Sequence, residues 1–103
     1  MTLDDLEQII AARAQADPDE SWTARLLAKG PEKAAEKFGE EAIEAVIEAV
    51  RDDPERLTSE AADVLFHLLV MLHARGVRIA DVMQELSRRQ SQSGLQEKAS
   101  RPK

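Results

Sequence analysis

A chain of 103 residues with no cysteine and a formal net charge of −6 has room for one domain and no means of forming disulfides or thiolate metal sites. The acidic balance argues against a general nucleic-acid binder, whose footprint is basic, and any metal must sit on oxygen or imidazole ligands. Apolar residues make up 43% but aromatic ones only 3%, which favours helices, since strands draw on β-branched and aromatic side chains.

Thr2 precedes Leu3, Leu6, Ile9 and Ile10 at helical spacing, and Asp5 completes a capping-box-like start. This first helix is expected to fade near Asp17-Pro18, because proline disfavours helix in the residue before it. Ser21 caps a short second helix through Trp22, Leu26 and Leu27. Gly30-Pro31 reads as a stop followed by a start, opening a third helix from Pro31 to about Arg51. Asp53-Pro54 repeats the start signal for a fourth helix to His73 or Arg75, with Gly76 at its C′ position. A fifth, near Ile79 to Arg89, carries Ile79, Val82, Met83 and Leu86 at helical spacing. Residues 1–90 thus read as a single all-α domain and 91–103 as a polar, mobile C-terminal tail. No apolar run approaches the roughly 20 residues that span a bilayer. Met1 to Leu6 carries acids where a signal peptide would be basic. The expectation is a cytoplasmic protein with no membrane or nucleic-acid partner.

Two acidic clusters stand out. The third helix carries Glu40, Glu41, Glu44 and Glu48; the fourth carries Glu60 and Asp63, with His67 extending that line. Positions three and four apart share a helix face, so Glu41 and Glu44 point together, as do Glu60 and Asp63. On the third helix the acids lie opposite Phe38, Ala42, Ala45, Val46, Ala49 and Val50, and a solvated face would account for them. The fourth helix is apolar nearly all round from Leu57 to Leu72, a pattern that normally means burial, so its acids are expected on or near a core-facing stripe. Carboxylates are almost never buried unpaired, and this helix has no Lys or Arg between Arg56 and Arg75. Four converging carboxylates call for a hard divalent cation such as Mg²⁺, which takes oxygen ligands and keeps places for phosphate. Salt bridges from Lys33 and Lys37 are the competing explanation. Gly39, inside a helix at a cost of about 1 kcal/mol relative to Ala, suggests close approach of a helix or ligand, although loose packing also explains it.

The Glu40-Glu41-x-x-Glu44 and Glu60-x-x-Asp63 pattern resembles the signature of the all-α, MazG-like nucleoside triphosphate pyrophosphohydrolases. Ser21-Trp22-Thr23, Lys29-Gly30-Pro31-Glu32-Lys33 and Ser59-Glu60-Ala61-Ala62-Asp63 are similar to the phosphoribosyl-ATP pyrophosphohydrolase branch, as are Ser93-Gly94-Leu95 and Glu97-Lys98-Ala99-Ser100-Arg101. The resemblance implies a bundle of four to five helices whose four-helix core is completed by homodimerisation. It also implies Mg²⁺-dependent hydrolysis of phosphoribosyl-ATP to phosphoribosyl-AMP and pyrophosphate, in histidine biosynthesis. Carried onto this chain, it gives Glu41, Glu44, Glu60 and Asp63 as metal ligands, and Glu40 or Glu41 as the catalytic carboxylate that orients and deprotonates water. Lys29, Lys33 and Lys37 are candidates to hold the triphosphate, unless they pair with neighbouring glutamates. His67 suits a hydrogen bond to a metal-binding carboxylate, though a satisfied core histidine is the stronger reading; Trp22 reads as packing rather than adenine stacking. Two rivals stand beside this reading: a house-cleaning pyrophosphohydrolase of ordinary or damaged nucleotides, and a non-catalytic helical dimerisation module.

Overall fold

The computed structural model describes residues 1–91 together with Lys98 and Ala99; the expectations for the tail lie largely outside the described residues. Five α-helices follow in order, α1 Leu3–Ala14, α2 Trp22–Ala28, α3 Pro31–Val50, α4 Pro54–Ala74 and α5 Ile79–Arg89, with no strand among the described residues. The all-α expectation holds.

Local chemistry explains the boundaries. Thr2 accepts from the Asp5 N–H at 3.0 Å while the Thr2 N–H donates to Asp5, a reciprocal capping box. α1 stops at Ala14, earlier than expected. Asp17 turns its carboxylate back onto the Asp19 N–H at 2.9 Å, and the Arg25 guanidinium takes the carbonyls of Pro18 and Asp19. The segment after α1 therefore has partners other than helix. Gly30 stands at φ 98°, a conformation open to glycine, and is the single residue between Lys29, the C-cap of α2, and Pro31, the first residue of α3.

α3 and α4 form a tight antiparallel hairpin, the most extensive pairing in the fold. At its turn Asp52 adopts a left-handed φ of 59°, its N–H bonds the Ala49 carbonyl, and the Asp53 N–H reaches Glu48. That is a Schellman closure with aspartate in the usual glycine position. Asp53 then caps α4 by accepting from the Arg56 N–H at 3.1 Å. One residue thus ends one helix and begins the next, and the register between them is fixed. α1 and α2 lie across the hairpin, and α5 packs on α1.

The core is small and draws on every helix: Ile10, Leu26, Ala34, Leu69, Val70 and Ile79. Glu7 ties its ends together. Its carboxylate accepts from the Ile79 N–H at 2.6 Å, capping α5 from the far end of the chain, and Arg78 pairs with it at 3.6 Å. A hydrogen bond to a charged acceptor contributes about 1.5–3 kcal/mol. Glu7→Ala is therefore expected to lower unfolding free energy by about that much, read from urea denaturation, with α5 the first element to lose amide protection.

On α3 the structure decides between the two readings left open, and α4 departs from its reading. α3 packs with its acidic side inward: Glu41 and Glu48 are buried, while Ile43, Val46, Ile47 and Val50 are 63%, 61%, 43% and 81% exposed. α4 is long and apolar enough to cross a membrane by composition, contrary to the reading of its sequence. It instead forms half of the hairpin, with His67, Leu69 and Val70 buried and Leu65 exposed. Gly39 has nothing within 4 Å of where a Cβ would lie, so no close helix approach requires it.

Candidate active site

The hairpin register builds the site. Glu44 and Glu60 lie eight residues either side of Asp52, and Glu41 and Asp63 eleven. In an antiparallel pair, residues equidistant from the turn face each other, so i, i+3 spacing on each helix produces two opposed carboxylate pairs. Ligand oxygens of Glu41, Glu60 and Asp63 all lie within 4.8 Å of one another. Glu41 is buried, Glu60 half-buried and Asp63 exposed, so the cluster has a closed floor and an open mouth. The expectation that both α4 acids sit toward the core holds for Glu60 and not for Asp63. Asp63 stands at the edge of the hairpin, where α4 turns toward solvent.

Glu44 belongs to the same electrostatic unit. The negative charge of Glu41 raises its carboxyl above the ordinary glutamate value, and a hydrogen bond to Glu60 adds to the effect. Between the ordinary and the raised value the folded state holds a proton that the unfolded chain has released. Stability in divalent-free buffer should therefore fall as pH rises through that window. Thermal denaturation in chelator across the weakly acidic range checks the sign; a melting temperature rising steadily over that window would contradict it.

Glu60 Oε2 is buried with no hydrogen-bond partner among the described residues, which is costly for a carboxylate. Three carboxylates within cation reach, one of them with a bare buried oxygen, form a donor set suited to a hard divalent ion.

The lysines divide. Lys37 lies 3.2 Å from Glu41 and 3.6 Å from Glu40, and its ammonium is held protonated to higher pH, chiefly by the hydrogen bond to Glu41. Lys33 pairs with Glu36 at 3.4 Å instead. Lys29 is the exposed cap of α2. So the competing salt-bridge explanation accounts for part of one acid, Glu41, and leaves Glu60 and Asp63 uncompensated. Glu40 is exposed and joins the group only through Lys37.

A sequence model of the phosphoribosyl-ATP pyrophosphohydrolase family matches residues 3–90. The chain belongs to that family. Relatives named phosphoribosyl-ATP pyrophosphatase agree along nearly their whole length. The protein of Dinoroseobacter shibae is 71% identical over 96 residues, covering 93% of this chain and 94% of its own. That of Ruegeria pomeroyi is 67% identical over 101 residues, 98% and 96% of the two chains. That of Paracoccus denitrificans is 67% identical over 96 residues, 93% and 89%.

Within this family member three further features matter. The ring of His67 is buried; its Nδ1–H donates to the Asp63 backbone carbonyl at 2.8 Å, so it steadies the main chain at Asp63 rather than a carboxylate. Its Nε2 is buried without a partner. Glu48 continues the buried acidic row of α3, paired with Arg51 at 3.5 Å through one oxygen and bare at the other; its i+4 spacing from Glu44 was the sequence signal for it. Trp22 is 49% exposed rather than packed, and with Arg13, Glu20 and Phe66 it lines a groove of about 440 Å³ between α1, the start of α2 and α4.

Proposed function

We propose that this chain hydrolyses phosphoribosyl-ATP to phosphoribosyl-AMP and pyrophosphate, in the cytoplasm, as a step of histidine biosynthesis. The observation that carries the mechanism is the convergence of Glu41, Glu60 and Asp63 within 4.8 Å across the hairpin, in a chain of this family.

Glu41, Glu44, Glu60 and Asp63 are the residues that would hold Mg²⁺. When bound, the ion supplies positive charge to the phosphate oxygens as the bond to pyrophosphate breaks. The protein's own groups do the rest. Glu40, exposed beside the cluster, or a spare oxygen of Glu41, takes the proton of the attacking water. Lys37 neutralises Glu41 in the metal-free site. Once that carboxylate is engaged by a cation, its ammonium is available to the triphosphate, with Lys33 one turn back and Lys29 beyond.

The unit that acts is a homodimer. Ile43, Val46, Ile47 and Val50, at helical spacing, form an exposed apolar face of α3 on the hairpin. A second copy laid against it would turn two hairpins into a four-helix core, the solution open to a small domain short of buried surface.

Growth tests the assignment directly. A strain lacking this hydrolytic step should grow without histidine when it expresses the chain, and should not when it expresses Asp63→Asn. Failure of the wild-type chain, expressed and folded, would overturn the assignment.

A further inference from the structure

We infer that the groove lined by Trp22, Phe66, Arg13 and Glu20 is the subsite for the N1-phosphoribosylated adenine of the substrate; the inference rests on the activity proposed above. The chain has three aromatic side chains, one Trp and two Phe, and two of the three line this one groove. Trp22 is 49% exposed there, a large apolar surface left open to solvent. The groove, about 440 Å³, falls within the roughly 300–1,000 Å³ typical of ligand sites.

Its placement is built in. Ser21 caps α2 by accepting from the Ala24 N–H at 3.2 Å, and its hydroxyl donates to the Arg13 carbonyl at 3.3 Å. One serine thus sets Trp22 at the first turn of α2 and fastens it beside the end of α1, where Arg13 projects. Thr23, beside it, is buried and anchors the turn. Phe66 lies one turn past Asp63 on the same flank of α4, so the groove adjoins the open mouth of the carboxylate cluster. Asp63 of the cluster and Phe66 of the groove, three residues apart on α4, are the link by which one nucleotide would reach both.

The chemistry of the lining suits this base more than an ordinary adenine. Alkylation at N1 leaves the adenine ring protonated and positively charged near neutral pH. Aromatic faces attract such a cation, and the Glu20 carboxylate complements it. The Arg13 guanidinium, which pairs with no carboxylate among the described residues, suits the phosphate of the added phosphoribosyl group by bidentate contact. Ordinary ATP offers neither the ring charge nor that phosphate, so the groove also supplies selectivity.

Trp22 is the only tryptophan, and its fluorescence reports on the groove. In chelator, without metal, 1-methyl-AMP should change the emission of the wild-type protein at lower concentration than AMP. Base stacking removed by alanine substitution lowers affinity by about tenfold or more. Trp22→Ala should therefore raise KM for phosphoribosyl-ATP about tenfold or more, and Arg13→Gln, which removes the charge-assisted contact to the phosphate, should raise it as well, while Mn²⁺ affinity stays unchanged and Trp22→Phe retains most of the wild-type KM. Unchanged emission together with unchanged KM in both variants would overturn the subsite and leave the proposed activity standing. Emission that responds to 1-methyl-AMP in a protein unable to turn over phosphoribosyl-ATP would support the subsite and remove the activity. Equal response to AMP and 1-methyl-AMP would overturn the cationic-base assignment.

Discussion

Glu60→Gln is expected to cut pyrophosphate release from phosphoribosyl-ATP by about 100-fold or more and to raise the melting temperature in divalent-free buffer. The rate estimate starts from groups that only support metal ligands, whose loss typically costs about 10–100-fold; a direct ligand stands at the upper end or beyond. The stability gain has a separate cause. Glu60 places a half-buried carboxylate among those of Glu41, Glu44 and Asp63, with one oxygen unpartnered. An amide of the same shape removes one of the repelling charges. Stabilising substitutions at such sites typically contribute about 0.5–2 kcal/mol. A steady-state assay and a thermal melt on one preparation check both halves. Full activity with a lowered melting temperature would make the cluster a structural network.

If the proposed dimer forms, Val46→Lys is expected to split it into 11.4 kDa monomers and to abolish turnover. Within one chain Val46 is 61% exposed, and a surface change of this kind alters stability by no more than about 0.5 kcal/mol. Against a second hairpin the same substitution puts an unpaired ammonium from each copy into an apolar interface. An uncompensated buried charge costs about 3–5 kcal/mol, more than 100-fold in dissociation constant. Sedimentation equilibrium distinguishes the cases. A wild-type chain already monomeric at micromolar concentration, or a variant that stays dimeric, would contradict the proposed assembly.

Much of this architecture was written locally. Ser21, Gly30-Pro31, Asp53-Pro54 and Gly76 each set a helix end through neighbours within a few residues, and all four fall where the sequence puts them. The premature end of α1 was only partly legible: the Asp17–Asp19 turn is local, but the loop carbonyls of Pro18 and Asp19 are taken by Arg25, six or seven residues on. The acidic spacing of α3 and α4 identified the residues that converge, since i, i+3 pairs keep their faces in any helix. Which side of α3 turns inward was illegible. An amphipathic pattern in one chain points the apolar face to the core, yet here Glu41 and Glu48 are buried while Glu40 and Glu44 stay exposed and Ile43, Val46, Ile47 and Val50 face out. The half-exposed setting of Trp22 was not legible either, because the groove it lines takes Arg13 and Phe66 from elsewhere in the sequence.

The central claim is that the four-carboxylate site on the α3–α4 hairpin hydrolyses phosphoribosyl-ATP with the help of a divalent ion. Pyrophosphate release from phosphoribosyl-ATP, measured with Mg²⁺ and with chelator beside a panel of ordinary nucleoside triphosphates, tests it most directly. Turnover of phosphoribosyl-ATP that appears with Mg²⁺, vanishes in chelator and greatly exceeds that of the panel is the result expected. Equal turnover in chelator, preference for the panel, or no turnover by the folded chain would contradict it.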